Sequence, residues 1–438
     1  MKLKKLNKNL LKKSFNLFKT KNFQVGIIGL GYVGLPLAKA FSENNIKTIG
    51  FDIDKKKIKL LRKKKSYIKH FSNEMVRKMV KKNFECEFKF NRINEVDVII
   101  LCLPTPLKKD KSPDITYISK TINSILKFLK PYQALSLEST TYPGTCEDLI
   151  VPKLKNKFNL GKNFYLIYSP EREDPGNKSF NIKNIPKVIG GFSKNCLKIG
   201  SLIYSKIVKK TIPVSSLQTA ELVKIFENIY RSVNISLVNE LKMLSSKMSI
   251  DVYEIINAAK TKPFGFQAFY PGPGYGGHCI PIDPFLLTWK AKQYNFKTRF
   301  VELSGKINAK ITENISKKIS KIIKKKSEQK VLIIGVAYKK NIDDYRESPA
   351  LKIFQYLNKS KIKFSYYDPY VSEVNSNQYL LRKRSLTSYK NNLKKYELVV
   401  ILTNHDDIDY KKIQKNAKKV IDTRGVYSLN KYKNVLSL

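Results

Sequence analysis

The sequence predicts an α/β protein with two Rossmann-like, doubly wound domains joined by a central helical region. Short apolar runs alternate with lysine-rich amphipathic segments in the first half of the chain and again near its end, which is typical of a parallel sheet covered by helices. Between these parts, from about residue 216, the pattern is that of long helices. A length of 438 residues also exceeds what one ordinary core accommodates. We therefore expect a basic leader at 1–22 and domains at 23–215, 216–327 and 328–438.

The individual elements follow from the apolar runs. In the first domain strands are expected at 23–29, 46–51, 97–102, 133–138 and 164–169. In the last domain they are expected at 330–336, 363–368, 398–403 and 418–423. Between the two sets, helices are predicted at 217–247 and at about 301–326, on either side of a loop rich in glycine and proline at 271–284.

The basic leader is predicted to form a weakly amphipathic helix, because Leu3, Leu6, Leu10, Phe15 and Phe18 recur at approximately helical spacing. It lacks the continuous apolar core of a signal peptide. We expect a frayed leader rather than a membrane-surface anchor.

Composition narrows the class of protein. No apolar run approaches the length that crosses a bilayer, so no membrane span is predicted. The five cysteines show neither CxxC nor Cys/His ligand spacing, so no metal site is expected. An odd cysteine number without a secretory signal indicates reduced thiols in the cytoplasm.

The formal net charge of +49 is the most unusual global property of the chain. Basic surface attracts phosphate backbones. The lysines are nevertheless scattered over what look like solvated helix faces, and RNA-reading motifs are missing. We predict no specific nucleic-acid binding, with a polyanion-binding protein as the alternative of a different class.

A dinucleotide site is predicted after the first strand. The run Gly29-Leu30-Gly31-Tyr32-Val33-Gly34 matches GxGxxG between a strand and a helix, where a pyrophosphate meets the helix N-terminus. Asp52 ends the next strand, where an acidic residue binds the adenosine ribose and disfavours a 2′-phosphate. NAD is therefore the expected cofactor. The last domain lacks the three-glycine turn, and its candidate phosphate contacts Lys339, Arg346 and Arg424 could equally be surface cations.

Cys279 is the candidate nucleophile, because glycines precede it and proline follows it in GGHCIPID (276–283). Such a backbone suits close approach to a ligand. His278 is interpreted as structural or substrate-contacting, since adjacent loop residues usually point apart.

A polar stripe is predicted on the first long helix. Glu221, Lys224, Asn228 and Arg231 follow three- and four-residue steps and share one face. The lysine and asparagine could hold an oxyanion, or the stripe could simply be solvated. The opposite face is expected to be apolar, with the residues Leu222, Ile225, Phe226, Ile229 and Val233.

From about residue 23 to its end, the chain resembles the UDP-glucose/GDP-mannose dehydrogenase family. Six motifs in the family's order carry the resemblance: GLGYVGLPLA (29–38), ESTTYPGT (138–145), SPEREDPGN (169–177), ELVKIFENIYRSVNISLVNEL (221–241), PGPGYGGHCIPIDP (271–284) and YKKNIDDYRESPA (338–350). SPEREDPGN and TKPFGFQAFYPGPG (261–274) are most similar to the bacterial branch that oxidises UDP-N-acetylglucosamine at C6.

The resemblance implies a two-step, four-electron oxidation of a UDP-sugar that uses two NAD molecules in turn, for surface polysaccharide precursors. The thiolate of Cys279 would attack the aldehyde to give a thiohemiacetal, and the later thioester would be hydrolysed. A thiol adds reversibly to an aldehyde and leaves readily from an acyl carbon. The family's dimers pack through the central helices, so a homodimer is expected.

Roles are carried over by position. Lys224 and Asn228 match family residues that stabilise developing oxygen charge. Glu171 matches a glutamate that is implicated in water activation, and Asp283 matches the aspartate after the cysteine. Thr140 matches a threonine that orders water beside the cofactor. Three further groups complete the expected site: the cofactor-side loop Pro104, Thr105 and Pro106; the cofactor contact Arg346; and the substrate contacts Arg231, Gly276, Lys339 and Arg424.

Two departures from the UDP-glucose branch bear on the substrate. Ile282 stands where that branch has a lysine, and Pro175 replaces its second glutamate. We therefore expect UDP-N-acetylglucosamine as the substrate, with UDP-N-acetylgalactosamine, UDP-N-acetylmannosamine and UDP-glucose as alternatives. The hydrolytic base stays open between Glu171, Glu173 and Asp174.

Overall fold

The computed structural model describes residues 2–68, 71–173, 180–277, 280–323, 330–390, 393–428 and 432–437. Contacts along the chain divide it into two compact units, residues 1–227 and 228–438. The division falls within the long central helix, and the three-domain boundaries drawn from the sequence stay a prediction.

The first unit is built on an eight-stranded sheet. The strand order is β3-β2-β1-β4-β5-β6-β7-β8, with every neighbouring pair parallel except β6 and β7. The first six strands have the order of a dinucleotide-binding sheet, which reverses direction between β1 and β4. The elements are α1 (Lys2–Lys19), β1 (Val25–Ile28), α2 (Gly34–Glu43), β2 (Thr48–Phe51), α3 (Lys55–Arg62), α4 (Asn73–Lys81), β3 (Phe84–Glu87), β4 (Val98–Leu101), α5 (Thr116–Ile125), β5 (Ala134–Leu137), α6 (Val151–Lys155), β6 (Tyr165–Tyr168), β7 (Lys187–Gly191), α7 (Lys194–Tyr204), β8 (Thr211–Pro213) and α8 (Leu217–Lys247).

The second unit contains the rest of α8 and a five-stranded parallel sheet of order β10-β9-β13-β14-β15. This sheet is also doubly wound, with its change of direction between β9 and β13. Its elements are α9 (Val252–Ala259), α10 (Asp283–Lys292), α11 (Arg299–Ile322), β9 (Lys330–Ile334), α12 (Pro349–Lys359), β10 (Lys363–Tyr367), β11 (Glu373–Ser376), β12 (Leu381–Arg384), β13 (Leu398–Ile401), α13 (Tyr410–Asn416), β14 (Val420–Asp422) and β15 (Val435–Ser437). The predicted fold class is confirmed.

The central strands read as continuous apolar runs because helices cover both faces of each sheet. Every residue of β1, β2, β4, β5 and β6 is buried. No strand was predicted at β3, whose residues after Phe84 are only partly buried or exposed, or at β7, β8, β11, β12 and β15.

The leader forms helix α1, as predicted, but the expectation that it frays is wrong for its second half. Phe18 is fully buried and lies 5.5 Å from the Phe23 ring, centroid to centroid. Lys198 on α7 lies 4.9 Å from the centroid of the Phe15 ring, and Lys206 Nζ donates to the Lys19 carbonyl at 2.6 Å. These contacts attach residues 15–19 to the body of the first unit.

Among the residues described, no helix combines the length and the apolar character that spanning a membrane requires.

Candidate active site

The glycine turn after β1 has the geometry of a dinucleotide site. Gly29 has φ +95°, and a Cβ there would lie 2.2 Å from the Cys102 carbonyl oxygen. A Cβ on Gly34 would lie 1.9 Å from the Gly29 carbonyl oxygen, so neither position tolerates a side chain. A Cβ on Gly31 would meet no atom within 4 Å. Gly29 and Gly34 therefore pack tightly against the protein, whereas Gly31 leaves space where a pyrophosphate would approach. The residues of this turn fit NAD.

Asp52, at the end of β2, is buried beside this turn. Its Oδ2 accepts hydrogen bonds from the Leu30 amide and from Lys57 Nζ, each at 3.0 Å, and its Oδ1 accepts from the Asp54 amide at 2.9 Å. The carboxylate is thus fixed where the ribose of a bound dinucleotide is expected. Lys57 beside it was not predicted from the sequence.

The loops that follow β4 and β5 meet at the same edge of the sheet. The Thr105 hydroxyl donates to the Thr140 carbonyl at 2.6 Å, and the Leu103 amide donates to the Ser139 hydroxyl at 2.9 Å. Pro104 is exposed, whereas Thr105 is buried. The structure therefore brings the predicted cofactor-side loop and Thr140 together.

Glu171, in the loop after β6, belongs to a buried ion cluster that the sequence did not predict. Lys187 on β7 places its Nζ 2.6 Å from Glu138 Oε2 and 3.2 Å from Glu171 Oε2. The Tyr204 hydroxyl donates to Glu138 Oε1 at 2.6 Å and lies 2.8 Å from the Ser136 hydroxyl. Sequence reasoning missed this cluster because Lys187 is 16 residues from Glu171 and stands in an otherwise apolar strand.

The cluster separates the pKa values of its carboxyl groups. Burial raises the pKa of Glu138 despite the nearby Lys187. For Glu171, burial also acts to raise the pKa, but Lys187 and the Glu173 and Arg172 amides outweigh it, so the pKa lies below the usual value. Glu171 Oε1 accepts from the Arg172 amide at 2.6 Å and from the Glu173 amide at 2.7 Å. Glu171 is therefore ionised at neutral pH, with both oxygens engaged.

The pKa of Glu173 is shifted in the opposite direction. Burial and the neighbouring Glu171 raise its pKa to about 7. Its Oε1 accepts from the Ile182 amide at 2.8 Å, and within the described residues no hydrogen bond reaches its Oε2. The third candidate base, Asp174, and the substitution Pro175 lie outside the described residues.

The polar stripe on α8 is only partly as predicted. Glu221 is fully buried and accepts hydrogen bonds from the Gly144 and Cys146 amides, which fixes the end of the ESTTYPGT loop. Burial raises its pKa to about 7. Lys224 is half-buried, and within the described part of the chain its amine has no hydrogen bond or ion pair. On the expected apolar face Ile225 and Ile229 are buried, whereas Leu222 and Phe226 are exposed.

In the second unit, two candidate residues from distant parts of the sequence meet. The buried Asn228 side chain donates through Nδ2 to Asp283 Oδ2 at 2.5 Å. Arg231, one turn further along α8, is exposed and donates to Asn228 Oδ1 at 3.4 Å. Asp283 begins α10, where a carboxylate suits the helix N-terminus.

The glycine loop, which we define as residues 271–277, packs against the segment that carries Lys339. A Cβ on Gly276 would lie 2.8 Å from both Tyr338 Cβ and the Glu347 carbonyl oxygen. Gly277 has φ +85°, faces the Tyr338 ring and donates its amide to the Arg346 carbonyl at 3.0 Å. The glycines are needed because the two segments approach so closely. Cys279 and His278, which follow this loop, lie outside the described residues.

Arg424 lies at the end of β14 and also borders the glycine loop. Its Nε donates to the Leu402 carbonyl at 2.7 Å, and a Cβ on Gly272 would lie 2.8 Å from one of its terminal nitrogens. Burial lowers the pKa of Arg424. By contrast, the Arg346 side chain is exposed and donates to the Asp344 carboxylate at 2.9, 3.2 and 2.6 Å.

The turn after β9 differs from the one after β1. Asp368 Oδ2 accepts from the Val336 and Ala337 amides at 2.7 and 3.1 Å and lies 3.1 Å from His405 Nε2. The Val336 amide thus matches the Leu30 amide, which donates to Asp52, but here the next amide, that of Ala337, also donates to the aspartate and is used within the protein.

Comparison with known proteins places the chain in a family. The three domain models of the UDP-glucose/GDP-mannose dehydrogenase family match it: the NAD binding domain at residues 23–208, the central domain at 218–310 and the UDP binding domain at 332–429.

Individual relatives agree with these matches. A UDP-N-acetyl-D-glucosamine 6-dehydrogenase from Pseudomonas aeruginosa is 34% identical over 80% of this chain and 84% of its own. A UDP-N-acetyl-D-mannosamine dehydrogenase from Methanococcus aeolicus is 31% identical over 91% of this chain and 88% of its own. The solved structure of a UDP-D-ManNAc dehydrogenase from Pyrococcus horikoshii superposes with a TM-score of 0.85 at 27% identity, covering 94% of this chain and 98% of that one.

The chain therefore belongs to the UDP-glucose/GDP-mannose dehydrogenase family. It is an NAD-dependent UDP-sugar dehydrogenase, as the resemblance predicts, and NAD is its cofactor.

The Asp52–Lys57 pair leads to a prediction about cofactor choice. We expect the unmodified enzyme to prefer NAD over NADP. Asp52→Ala should lower the ratio of kcat/KM with NAD to kcat/KM with NADP by about 10-fold or more, because the freed Lys57 would attract a 2′-phosphate. Initial rates with both cofactors measure this. Adding Lys57→Met to Asp52→Ala is the matched control and should remove the gain with NADP. An unchanged ratio in Asp52→Ala would show that Asp52 does not select the cofactor.

Proposed function

We propose that this enzyme oxidises the C6 alcohol of a UDP-N-acetylhexosamine to the carboxylate, in two steps, with UDP-N-acetylglucosamine as the preferred sugar. The observation that carries the proposal is the sequence SPEREDPGN together with Ile282, which departs from the UDP-glucose branch at two positions. The similarity to a UDP-N-acetyl-D-glucosamine 6-dehydrogenase supports the same sugar class.

UDP-N-acetylmannosamine is the second candidate. Several relatives that match more than nine-tenths of this chain are UDP-N-acetyl-D-mannosamine dehydrogenases, at 28–32% identity. Both sugars carry an N-acetyl group and differ only in the configuration at C2, so the two candidates share one reaction.

We assign roles to residues of the first unit as follows. Gly29, Gly31 and Gly34 would hold the dinucleotide, with Tyr32, Val33, Asp52, Pro104, Thr105 and Thr140 around it. When bound, NAD supplies the hydride acceptor. The amine of Lys224 would stabilise negative charge that develops on the C6 oxygen.

In the second unit, Asn228 and Asp283 would position the oxygen and the water, and Cys279 would form the covalent intermediate. Gly276, Arg231, Lys339 and Arg424 would contact the substrate, and Arg346 the cofactor. A cysteine is required because the aldehyde must be captured before its second oxidation.

The structure favours Glu173 over Glu171 as the group that changes protonation during hydrolysis, since Glu171 stays ionised and engaged. We expect the pH profile of kcat to show an ionisation near 7 that Glu173→Gln removes, with kcat lower by about 100-fold. Because folding raises this pKa, the ionised carboxyl is disfavoured in the folded state. Glu173→Gln should therefore raise the melting temperature above pH 7 and leave it almost unchanged near pH 4. Loss of the ionisation in Glu171→Gln instead would assign the base to Glu171.

The substrate proposal is tested by initial rates of NADH formation with a panel of UDP-sugars. We expect the highest kcat/KM with UDP-N-acetylglucosamine and a value at least about 10-fold lower with UDP-glucose. A higher value with UDP-N-acetylmannosamine would select the second candidate, and a preference for UDP-glucose would refute the N-acetylhexosamine assignment.

We also propose that the enzyme is a cytoplasmic homodimer that pairs through its central helices. Large apolar side chains are exposed along α8, namely Leu222, Phe226, Tyr230, Leu237 and Leu244. An apolar stripe of this kind is typical of a subunit interface. Light scattering should give twice the chain mass of 50.6 kDa. A mass equal to one chain would exclude the dimer.

A further inference from the structure

Lys242 is a buried lysine in the second unit to which the proposed chemistry assigns no role. It lies on α8 and is 4% exposed. Within the described residues it forms no ion pair, and its Nζ is 3.4 Å from the Tyr253 hydroxyl and 5.2 Å from the centroid of the Tyr253 ring. Buried ammonium groups are rare unless a negative charge compensates them.

Tyr253, on α9, connects this lysine to two segments of the candidate site. Its hydroxyl lies 3.4 Å from the Thr423 carbonyl oxygen and 3.5 Å from that of Pro271, the first residue of the glycine loop. Gly425, at φ +68°, packs on the Tyr253 ring, where a Cβ would lie 2.3 Å from a ring carbon. Tyr253 thus contacts the residues on both sides of Arg424.

The glycine loop and Arg424 are also in direct contact. The Arg424 guanidinium lies over Gly272, whose amide donates to the Oδ1 of the fully buried Asn239 at 3.0 Å. Within the described part of the chain, the Asn239 Nδ2 has no hydrogen-bond partner. The half-buried Arg424 and the Asn239 amide therefore border the glycine loop directly, and the buried Lys242 is connected to it through Tyr253.

We propose that Lys242 and Tyr253 are positioning residues for the nucleotide of the substrate. Tyr253 fixes the Arg424 turn (residues 423–425) against the glycine loop, and Lys242 adds positive charge that the diphosphate of a bound UDP group compensates. The inference rests on the proposed binding of a UDP-sugar in the second unit. It accounts for a lysine buried without a carboxylate partner, because the compensating charge belongs to the ligand.

The charges around Lys242 predict that the affinity for UDP depends on pH. Burial lowers its pKa to about 8; Asp422 and Asp251 act to raise the pKa, whereas Arg424 and Lys318 act to lower it. A bound diphosphate would favour the protonated amine. The affinity for UDP should therefore be highest below pH 8 and should fall as the pH rises through this value.

The test is isothermal calorimetry with UDP at pH 7 and pH 9, on the full-length enzyme and the variants Lys242→Met and Tyr253→Phe. We expect each variant to bind UDP about 10-fold or more weakly at pH 7, and Lys242→Met to lose the difference between the two pH values. In the rate assay, KM for the UDP-sugar should rise while KM for NAD stays constant. The melting temperature of Lys242→Met at pH 7 should not fall, since the variant removes a buried cation that has no ion pair among the described residues.

Matched controls are Lys318→Met, which removes a nearby half-buried amine, and Tyr270→Phe, which removes the hydroxyl of the tyrosine stacked on Tyr253. Both should bind UDP as the unmodified enzyme does. Unchanged UDP affinity in Lys242→Met and Tyr253→Phe would overturn the proposal, as would equal losses in the controls. If Lys242→Met does not fold, Tyr253→Phe decides alone. Because UDP binding is measured without turnover, failure of the proposed reaction would be seen separately.

Discussion

Replacing Cys279 with alanine should nearly abolish uronate formation while leaving the fold and NAD binding intact. In the proposed reaction the second oxidation requires a covalent adduct of the aldehyde, and alanine provides no atom to form it. Loss of an essential nucleophile typically lowers kcat by about 10⁴-fold or more. The fold should survive because the glycine loop is held by its own backbone contacts, such as that of Gly277 with the Arg346 carbonyl.

Two comparisons make the Cys279 test specific. Cys279→Ser should be almost as poor, because a hydroxyl is the weaker nucleophile and its ester hydrolyses more slowly than a thioester. Cys102→Ala is a matched control, since that thiol is not assigned to the chemistry and burial raises its pKa well above the usual value. Mass spectrometry of the products and NADH yield are the measurements. Uronate formation by Cys279→Ala at a rate near that of the unmodified enzyme would refute the thioester mechanism.

Lys187→Met should destabilise the first unit by about 3–5 kcal/mol, which is the usual effect of removing one partner of a buried ion pair. The Lys187 and Glu138 side chains are 5% and 0% exposed, so water cannot replace the lost cation. Two carboxylates, Glu138 and Glu171, would remain buried together. The free energy of unfolding in urea measures the effect.

The controls for Lys187→Met separate charge from packing. Adding Glu138→Gln should restore part of the lost stability, because it removes one uncompensated charge. Lys418→Met breaks an exposed pair with Glu397 and should cost less than about 1 kcal/mol. A loss of less than about 1 kcal/mol for Lys187→Met as well would show that the cluster does not stabilise the fold.

The sheets could be predicted because buried parallel strands leave continuous apolar runs, such as 98–101 and 398–401, that are readable without a structure. The glycine turn and Asp52 were equally visible, since GxGxxG and the next strand end lie at fixed distances. The long helix α8 was predicted with its observed bounds because its three- and four-residue period persists over 31 residues.

The environment of the site could not be predicted in the same way. Lys187 reads as one more lysine among many, and only the pairing of β7 with β6 shows that it faces two glutamates. Glu221 looked like part of a solvated stripe, yet it binds two loop amides. Likewise, nothing in the sequence distinguishes the buried Lys242 from its solvated neighbours. In a chain with so many basic residues, tertiary contacts decide which cations are functional.

The central claim, a four-electron oxidation at C6, is tested most directly by the stoichiometry of the unmodified enzyme. UDP-N-acetylglucosamine and excess NAD are incubated to completion, NADH is measured by absorbance, and the sugar product is identified by mass spectrometry. The account predicts two NADH for each sugar consumed and the uronate as the product, without free aldehyde. One NADH per sugar, with an aldehyde as the product, would contradict it.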